Sequence, residues 1–474
     1  MRDMLRGVLV AGMAVMSLEI AATPAVGQQI DGSWRGSVSV MGQVIPFVVH
    51  FATADGALGA TIDIQGVSGL ALKSVTWEHP AVHFELEAGP GIAVWDGELA
   101  DDSIAGSFTQ AGVTGTFSMV RAREDVGEEE PPPYGEEEVQ FTNGEITLAG
   151  TLTVPPSPGP HPAVVMITGS GPQNRDEELF PDYKPFRVIA DHLTRHGIAV
   201  LRYDDRGVGG STGSVTEATS ADFAGDVLAA VAFLRSRPEI AAGQIGVLGH
   251  SEGGIVGPLA ATRSDDIAFV IMLAGPGLNG AEILYAQGEL IVRAGGGDDD
   301  AVARQRALQQ RIFTAIRTDR GWDEVRDMIA AQIEESLASM TVEQREAIED
   351  DDAFIQRLVE AQIGQIRSKW FRFFIDHDPL PVLGRVRVPI LGLFGELDLQ
   401  VPAEQNRDAI REALERSGHP DYMLRILPGV NHLFIPATTG SPSEYATLDK
   451  EFAPGFLDLI AEWILARTRA APAP

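Results

Sequence analysis

Between Ala163 and Leu427 the chain alternates short apolar runs with segments of helical period. AVVMIT (163–168), AVLRYD (199–204), IGVLGH (245–250), IAFVIMLAG (267–275), PILGLFGELD (389–398) and YMLRIL (422–427) read as buried strands. Between them lie helical segments. One runs from Phe186 to Arg195 and ends at Gly197; another carries Phe223, Val227, Val231 and Leu234 on one face and stops before Pro238. IVGPLAA, Pro402 to Arg416, and a last segment through Phe456, Leu459, Ile460 and Trp463 complete the set. Alternation of this kind dictates a mostly parallel sheet with helices on both faces. It breaks once: residues 278–383 are helical in pattern and carry no strand, so a helical block is inserted between two strands.

The rest of the chain divides around this core. Arg2 and Arg6, the apolar run from Gly7 to Leu18 and the small residues Ala25-Val26-Gly27 make residues 1–27 a signal peptide, with the mature chain starting near Gln28. The expected location is therefore the periplasm or the medium, and no later segment has the length and apolarity of a membrane span. Residues 28–121 show short alternating runs, including Val44 to Phe51, Ala60 to Ile64, His83 to Leu86, Ser103 to Phe108 and Thr114 to Val120. Asp31-Gly32, Asp55-Gly56 and Asp96-Gly97 punctuate them as hairpin signals, predicting a small all-β domain. Its DGSWRGSVSV stretch loosely resembles the opening of small lipocalin-like barrels. Residues 122–138, with three prolines and a run of acids, read as an exposed linker. The core then comprises residues 139–277 and 384–474, with the insert at 278–383 between them.

Acids outnumber bases 67 to 36, a net charge of −31, which excludes nucleic acid and anionic membranes as partners. The chain has no cysteine, so it has neither a disulfide framework nor thiolate chemistry.

Gly249-His250-Ser251-Glu252-Gly253 is a G-x-S-x-G sequence between a strand and a helix. A serine on so sharp a turn projects its hydroxyl above the sheet edge, and its neighbours two positions away must be small. A hydroxyl nucleophile needs a base, and the base an orienting acid. Of ten histidines, His432 in LPGVNHLF follows the last strand, on the carboxyl edge where ligands bind in open α/β sheets. His250 adjoins the serine but points away from it. Asp398 in GELDLQVP is the acid, directly after its strand, and Glu396 is its competitor. The order Ser251, Asp398, His432 suits the fold.

These features, with ITGSGPQNRDE, LRYDDRGVGGSTG, GHSEGG, LFGELDLQVP and LPGVNHLF, resemble the α/β-hydrolase superfamily over about residues 139–465. The resemblance is greatest to exported bacterial esterase-like and serine-aminopeptidase-like hydrolases. It implies the triad Ser251, Asp398 and His432. It also implies an oxyanion hole formed by the backbone N–H of Glu252 and one from Ser170 or Gly169, with Ser170 the preferred donor and Gly169 easing the turn. Thr168 stands where many relatives carry histidine. Asp204, Asp205 and Arg206 are read as a structural ion-pair network. The insert is read as a lid, with Gly297 to Asp300 a loop and Trp370, Phe371, Phe373 and Phe374 as candidate acyl-pocket residues. The expected activity is hydrolysis of carboxylic esters without metal or organic cofactor. Action on N-terminal peptide bonds, a thioesterase and a non-catalytic binding protein are the alternatives; the partner is a small ester or short peptide, and the sequence leaves the oligomeric state open.

Overall fold

The computed structural model describes residues 30–468 except 41–42, 55–56, 65–66, 89–90, 101–102, 111–112, 123–130, 180–182, 339–350 and 446–447. The expected signal peptide at 1–27, the expected Asp55-Gly56 turn and the first half of the expected linker lie outside the described residues.

Nine strands open the described chain: β1 (Gly32–Val40), β2 (Gln43–Ala54), β3 (Ala57–Ile64), β4 (Val67–Ala71), β5 (Ser74–Glu78), β6 (Ala81–Ala88), β7 (Gly91–Ala100), β8 (Ser103–Gln110) and β9 (Val113–Arg121). They form one antiparallel sheet of order β4-β3-β2-β1-β9-β8-β7-β6-β5. Alternate side chains bury Trp34, Phe47, Phe84, Trp95 and Phe117 in a shared core, with Trp95 stacked on Phe84 at 4.9 Å. Asp96-Gly97 is not a turn. It lies inside β7, where Gly97 faces Gly106 across the pair. A Cβ on Gly97 would stand 2.7 Å from the Phe117 ring, and one on Gly106 would stand 1.9 Å from the Asp96 carbonyl. The glycines serve close packing, and Asp31-Gly32 simply opens β1.

The linker is shorter than its composition predicts. GEEE begins β10 (Gly135–Asn143), which pairs with β11 (Ile146–Val154) across the Asn143–Ile146 hairpin. Its acids are not merely solvated: Glu137 meets Arg237 at 2.6 Å and Glu138 meets Arg175 at 2.5 Å. Neutralising arginines from the core dock the strand, a tertiary effect that charge runs alone do not reveal.

The core follows: β12 (His161–Ile167), α1 (Pro185–Arg195), β13 (Ala199–Tyr203), α2 (Ser220–Arg235), β14 (Ile240–His250), α3 (Gly253–Ala261) and β15 (Val270–Leu273). Six helices come next among the described residues: α4 (Gly280–Ala294), α5 (Asp299–Thr318), α6 (Trp322–Ala338), α7 (Asp351–Ile366), α8 (Lys369–Asp376) and α9 (Leu380–Leu383). The chain then returns to the sheet through β16 (Ile390–Gly395), α10 (Ala403–Arg416), β17 (Tyr422–Leu427) and α11 (Phe456–Thr468). The sheet order is β10-β11-β13-β12-β14-β15-β16-β17, parallel from β13 onward. Apolar clusters fill both faces: α2, α3 and α10 cover one, and α1 and α11 the other.

The helices between β15 and β16 carry their own core, built on Val325, Ile329, Phe354 and Ile363. Gly297 to Asp300 is only partly a loop. The Asp298 side chain accepts the Ala301 N–H at 2.8 Å and caps α5, so Asp299 and Asp300 are its first turn.

Candidate active site

The turn after β14 is built as its glycines require. Ser251 has φ of 51°, in the left-handed region, at an expected cost of about 1–3 kcal/mol. A Cβ on Gly249 would lie 2.0 Å from the Gly253 carbonyl oxygen, and one on Gly253 would lie 2.3 Å from that of Ile167. Only hydrogen fits at either place. The Ser251 N–H donates to the Leu273 carbonyl at 2.8 Å, which ties the turn to β15.

Loops at the carboxyl ends of β16 and β17 bring Asp398 and His432 together. Asp398 is 3% exposed and its Oδ2 lies 2.8 Å from His432 Nδ1. Its Oδ1 accepts the N–H groups of Gln400 and Val401, both at 2.8 Å. A carboxylate so held accepts a hydrogen bond from Nδ1–H and leaves Nε2 as the acceptor. Glu396 is engaged elsewhere: its Oε2 accepts the Gly429 N–H at 2.8 Å and braces the β17 turn. Asn431 shapes the histidine loop by accepting the Leu433 N–H at 2.9 Å.

Ser251 and His432 line one cavity of about 340 Å³, with Ser170 and Glu252 on its wall. Ile283, Leu284 and Ile291 of α4 and Trp370 and Phe374 of α8 form an apolar side. Trp370 stacks on Phe374 at 5.1 Å. Phe371 instead packs within the core of the inserted helices, and Phe373 stacks on His377 at 5.0 Å, so neither lines the cavity.

The profile of the serine aminopeptidase S33 family matches residues 182–436, more than half of the chain. The chain belongs to the serine aminopeptidase S33 family. It is a serine hydrolase with the α/β-hydrolase fold. It is similar to esterase EstD of Thermotoga maritima, at 28% identity over 345 residues, 71% of each chain. Among solved structures it is similar to the α/β hydrolase GrgF from Penicillium sp. sh18, at 18% identity and a TM-score of 0.44, over 71% of this chain and 100% of that one. It is also similar to the Pyrococcus furiosus esterase Pf2001, at 16% identity and a TM-score of 0.43, over 73% and 96% of the two chains.

In this S33 hydrolase the Gly169 N–H is already committed. It donates to Glu177 Oε1 at 2.7 Å, which removes Gly169 as an oxyanion donor and leaves the Ser170 and Glu252 amides. The Glu252 side chain turns away from solvent. It accepts from Ser220 Oγ at 2.6 Å and from Trp370 Nε1 at 2.7 Å. Burial raises its carboxyl against these bonds and one from Ser170. The expected network at 204–206 is rearranged. Asp204 pairs with Arg175 at 2.8 Å and Arg206 with Asp226 at 2.7 Å. Asp205 has no arginine; it accepts from Thr168 Oγ1 and the Gln173 N–H, each at 2.9 Å. Burial pushes its carboxyl up to about 8 against those two bonds, and Glu252 and Glu177 add to the rise.

The pattern of spacings did not single out Glu177, because its role comes from a fold-dependent approach to Gly169 and His250. The contact of Trp370 with Glu252 was likewise beyond sequence spacing. Among the described residues one group whose geometry could hold a metal ion is His192, His196 and Asp458, with ligand atoms within 4.8 Å of one another; none of the three lines the cavity.

Proposed function

We propose that this S33 hydrolase is an exported carboxylic ester hydrolase that works through an acyl-enzyme on Ser251. His432 Nε2 removes the Ser251 proton as Oγ attacks the ester carbonyl. The Ser170 and Glu252 N–H groups hold the developing oxyanion, each worth about 3 kcal/mol. The tetrahedral intermediate collapses as His432 passes the proton to the leaving alcohol. Water, deprotonated by the same ring, then releases the acid and restores Ser251. Asp398 keeps the imidazole in the productive tautomer throughout.

One observation carries the reading. The Asp398–His432 contact of 2.8 Å sits beside a strained serine on the wall of the same cavity. The preference for esters over N-terminal peptide bonds rests on the lining. Its two carboxyl groups, Glu177 and Glu252, are already held by donors of the chain itself, so a substrate ammonium would meet no free acid. The apolar wall from α4 and α8 suits an acyl chain, and the relative from Thermotoga maritima is named an esterase. The helices from residue 278 to 383 act as the lid over that wall.

A fluorophosphonate that labels the wild type but not Ser251→Ala identifies the nucleophile. A panel of p-nitrophenyl esters, acyl thioesters and aminoacyl anilides then assigns the substrate. Turnover of anilides in preference to esters would overturn the ester assignment and leave the nucleophile intact. Export is tested by fractionating cells and sequencing the mature N-terminus, expected near Gln28.

A further inference from the structure

Behind the proposed triad lies a second acid–histidine contact that the reaction does not use. His250 is 6% exposed and Glu177 is 2% exposed. His250 Nδ1 stands 2.9 Å from Glu177 Oε1, and its Nε2 stands 3.1 Å from the backbone carbonyl of His432. The same Glu177 oxygen accepts the Gly169 N–H. Three segments therefore meet on this pair: the loop after β12, the strand end before Ser251 and the loop holding His432.

We propose that Glu177 and His250 form a buried carboxylate–imidazolium ion pair that positions the oxyanion loop and the His432 loop about the Ser251 turn. The assignment of charge follows from the partners. A carbonyl oxygen only accepts, and Glu177 Oε1 is already an acceptor from Gly169. With Glu177 as the carboxylate, both ring nitrogens of His250 donate, and an imidazole that donates twice is a cation. A neutral ring facing a carboxylate would set a nitrogen lone pair against an oxygen lone pair in a buried place. Glycine at 169 makes the approach possible: a Cβ there would lie 3.1 Å from Glu177 Oε1 and 3.4 Å from Ser251 Cβ. Glu177 itself has φ of 51°, held by its N–H bond to the Asn174 carbonyl at 2.9 Å. The His250 ring lies against that of His432, with centroids 4.8 Å apart.

The charged groups around the pair agree. Burial disfavours a charged His250, but the Glu177 carboxylate, its hydrogen bond, the His432 carbonyl and the more distant Asp398 outweigh it and raise the ring above its ordinary value. Tyr183 and Asp205 also feel Glu177, and both are pushed up by burial first and by its charge second or later. Glu177 and His250 are thus positioning residues. Loss of the His250 proton removes the bond to the His432 backbone, so the ring should set an alkaline limit on turnover.

The inference rests on the reading of Ser251 and His432 as nucleophile and base, and its test separates the two. Nitrogen-15 spectra of the wild type at about pH 8, more than one unit above the ordinary imidazole value of ~6.5, should show two protonated nitrogens on one ring. That signal should vanish in His250→Gln, which assigns it. Glu177→Gln keeps the shape and removes the charge. Its alkaline limb in kcat should move down by on the order of one pH unit or more, with KM little changed. Glu177→Asp restores charge without reach and should recover part of the shift. A singly protonated His250 in the wild type, or an unmoved alkaline limb in a folded Glu177→Gln, would overturn the proposal. If Glu177→Gln does not fold, the wild-type spectrum decides alone. Failure of Ser251 to take the fluorophosphonate label would instead defeat the triad reading, and the spectrum would still report the pair.

Discussion

The exchange Asp398→Asn tests the orienting acid, and the structure says how the amide must lie. Oδ1 of Asp398 accepts two backbone N–H groups at 2.8 Å, and Oδ2 faces His432 Nδ1 at 2.8 Å. Asparagine offers one oxygen and one NH2. With the NH2 turned toward Gln400 and Val401, two buried donors would face a donor, at about 1–3 kcal/mol for each group left unsatisfied. With the oxygen kept there, both backbone bonds survive and the NH2 points at His432 Nδ1. The second orientation wins by several kcal/mol. It forces Nδ1 to accept, places the ring proton on Nε2 and so blocks removal of the Ser251 proton. Turnover should fall on the order of 10⁴-fold, about 5 kcal/mol in the barrier, while the fold survives. Glu396→Gln removes only the acceptor of the Gly429 N–H, and the amide oxygen can replace it. It should cost less than about tenfold. Steady-state kinetics on a p-nitrophenyl ester, with circular dichroism as the control for folding, read both variants. A crippled Glu396→Gln beside an active Asp398→Asn would refute the assignment.

Ser251→Ala and His432→Ala should each reduce turnover on the order of 10⁶-fold and the double variant little further, because the residues act as a unit; single-turnover assays check this. Trp370→Ala should change the ratio of long to short acyl esters by opening the wall beside Phe374, and an unchanged ratio returns Trp370 to a packing role. Asp205 gives a pH signature in stability. Its carboxyl sits at about 8 in the fold, above its value in the unfolded chain, so its stabilisation is present at low pH and is lost as pH rises through about 8. Asp205→Asn keeps an acceptor for the Gln173 N–H and lets the Thr168 hydroxyl reverse. Urea denaturation at about pH 6 and about pH 9 should therefore show a smaller loss of stability than in the wild type.

The core architecture was legible because β12, β13, β14, β16 and β17 are nearly continuous apolar runs and the helices between them have clear stops at Gly197 and Pro238. The nucleophile turn was legible for a steric reason that acts within five residues. Distances between remote segments were not. GEEE reads as spacer until Arg175 and Arg237 arrive from the core to pair with it. Asp96-Gly97 has the composition of a turn, yet Phe117 from β9 fixes it as a strand pair. Choosing between Gly169 and Ser170 required Glu177 to be seen in place. Pairing of Asp205 with Arg206 was plausible from adjacency, but Asp205 accepts from Thr168 and Gln173 and Arg206 pairs with Asp226, partners the local sequence does not show.

The order of strands has a consequence for the newborn protein. Ser251 follows β14, whereas Asp398 and His432 follow β16 and β17, at the far edge of the sheet and beyond the inserted helices. At about 5–20 residues per second, synthesis adds the proposed base, His432, roughly ten to forty seconds after Ser251. During that interval the proposed nucleophile is a bare alcohol. On the proposed triad, a chain clipped before β17 lacks the base that would activate Ser251.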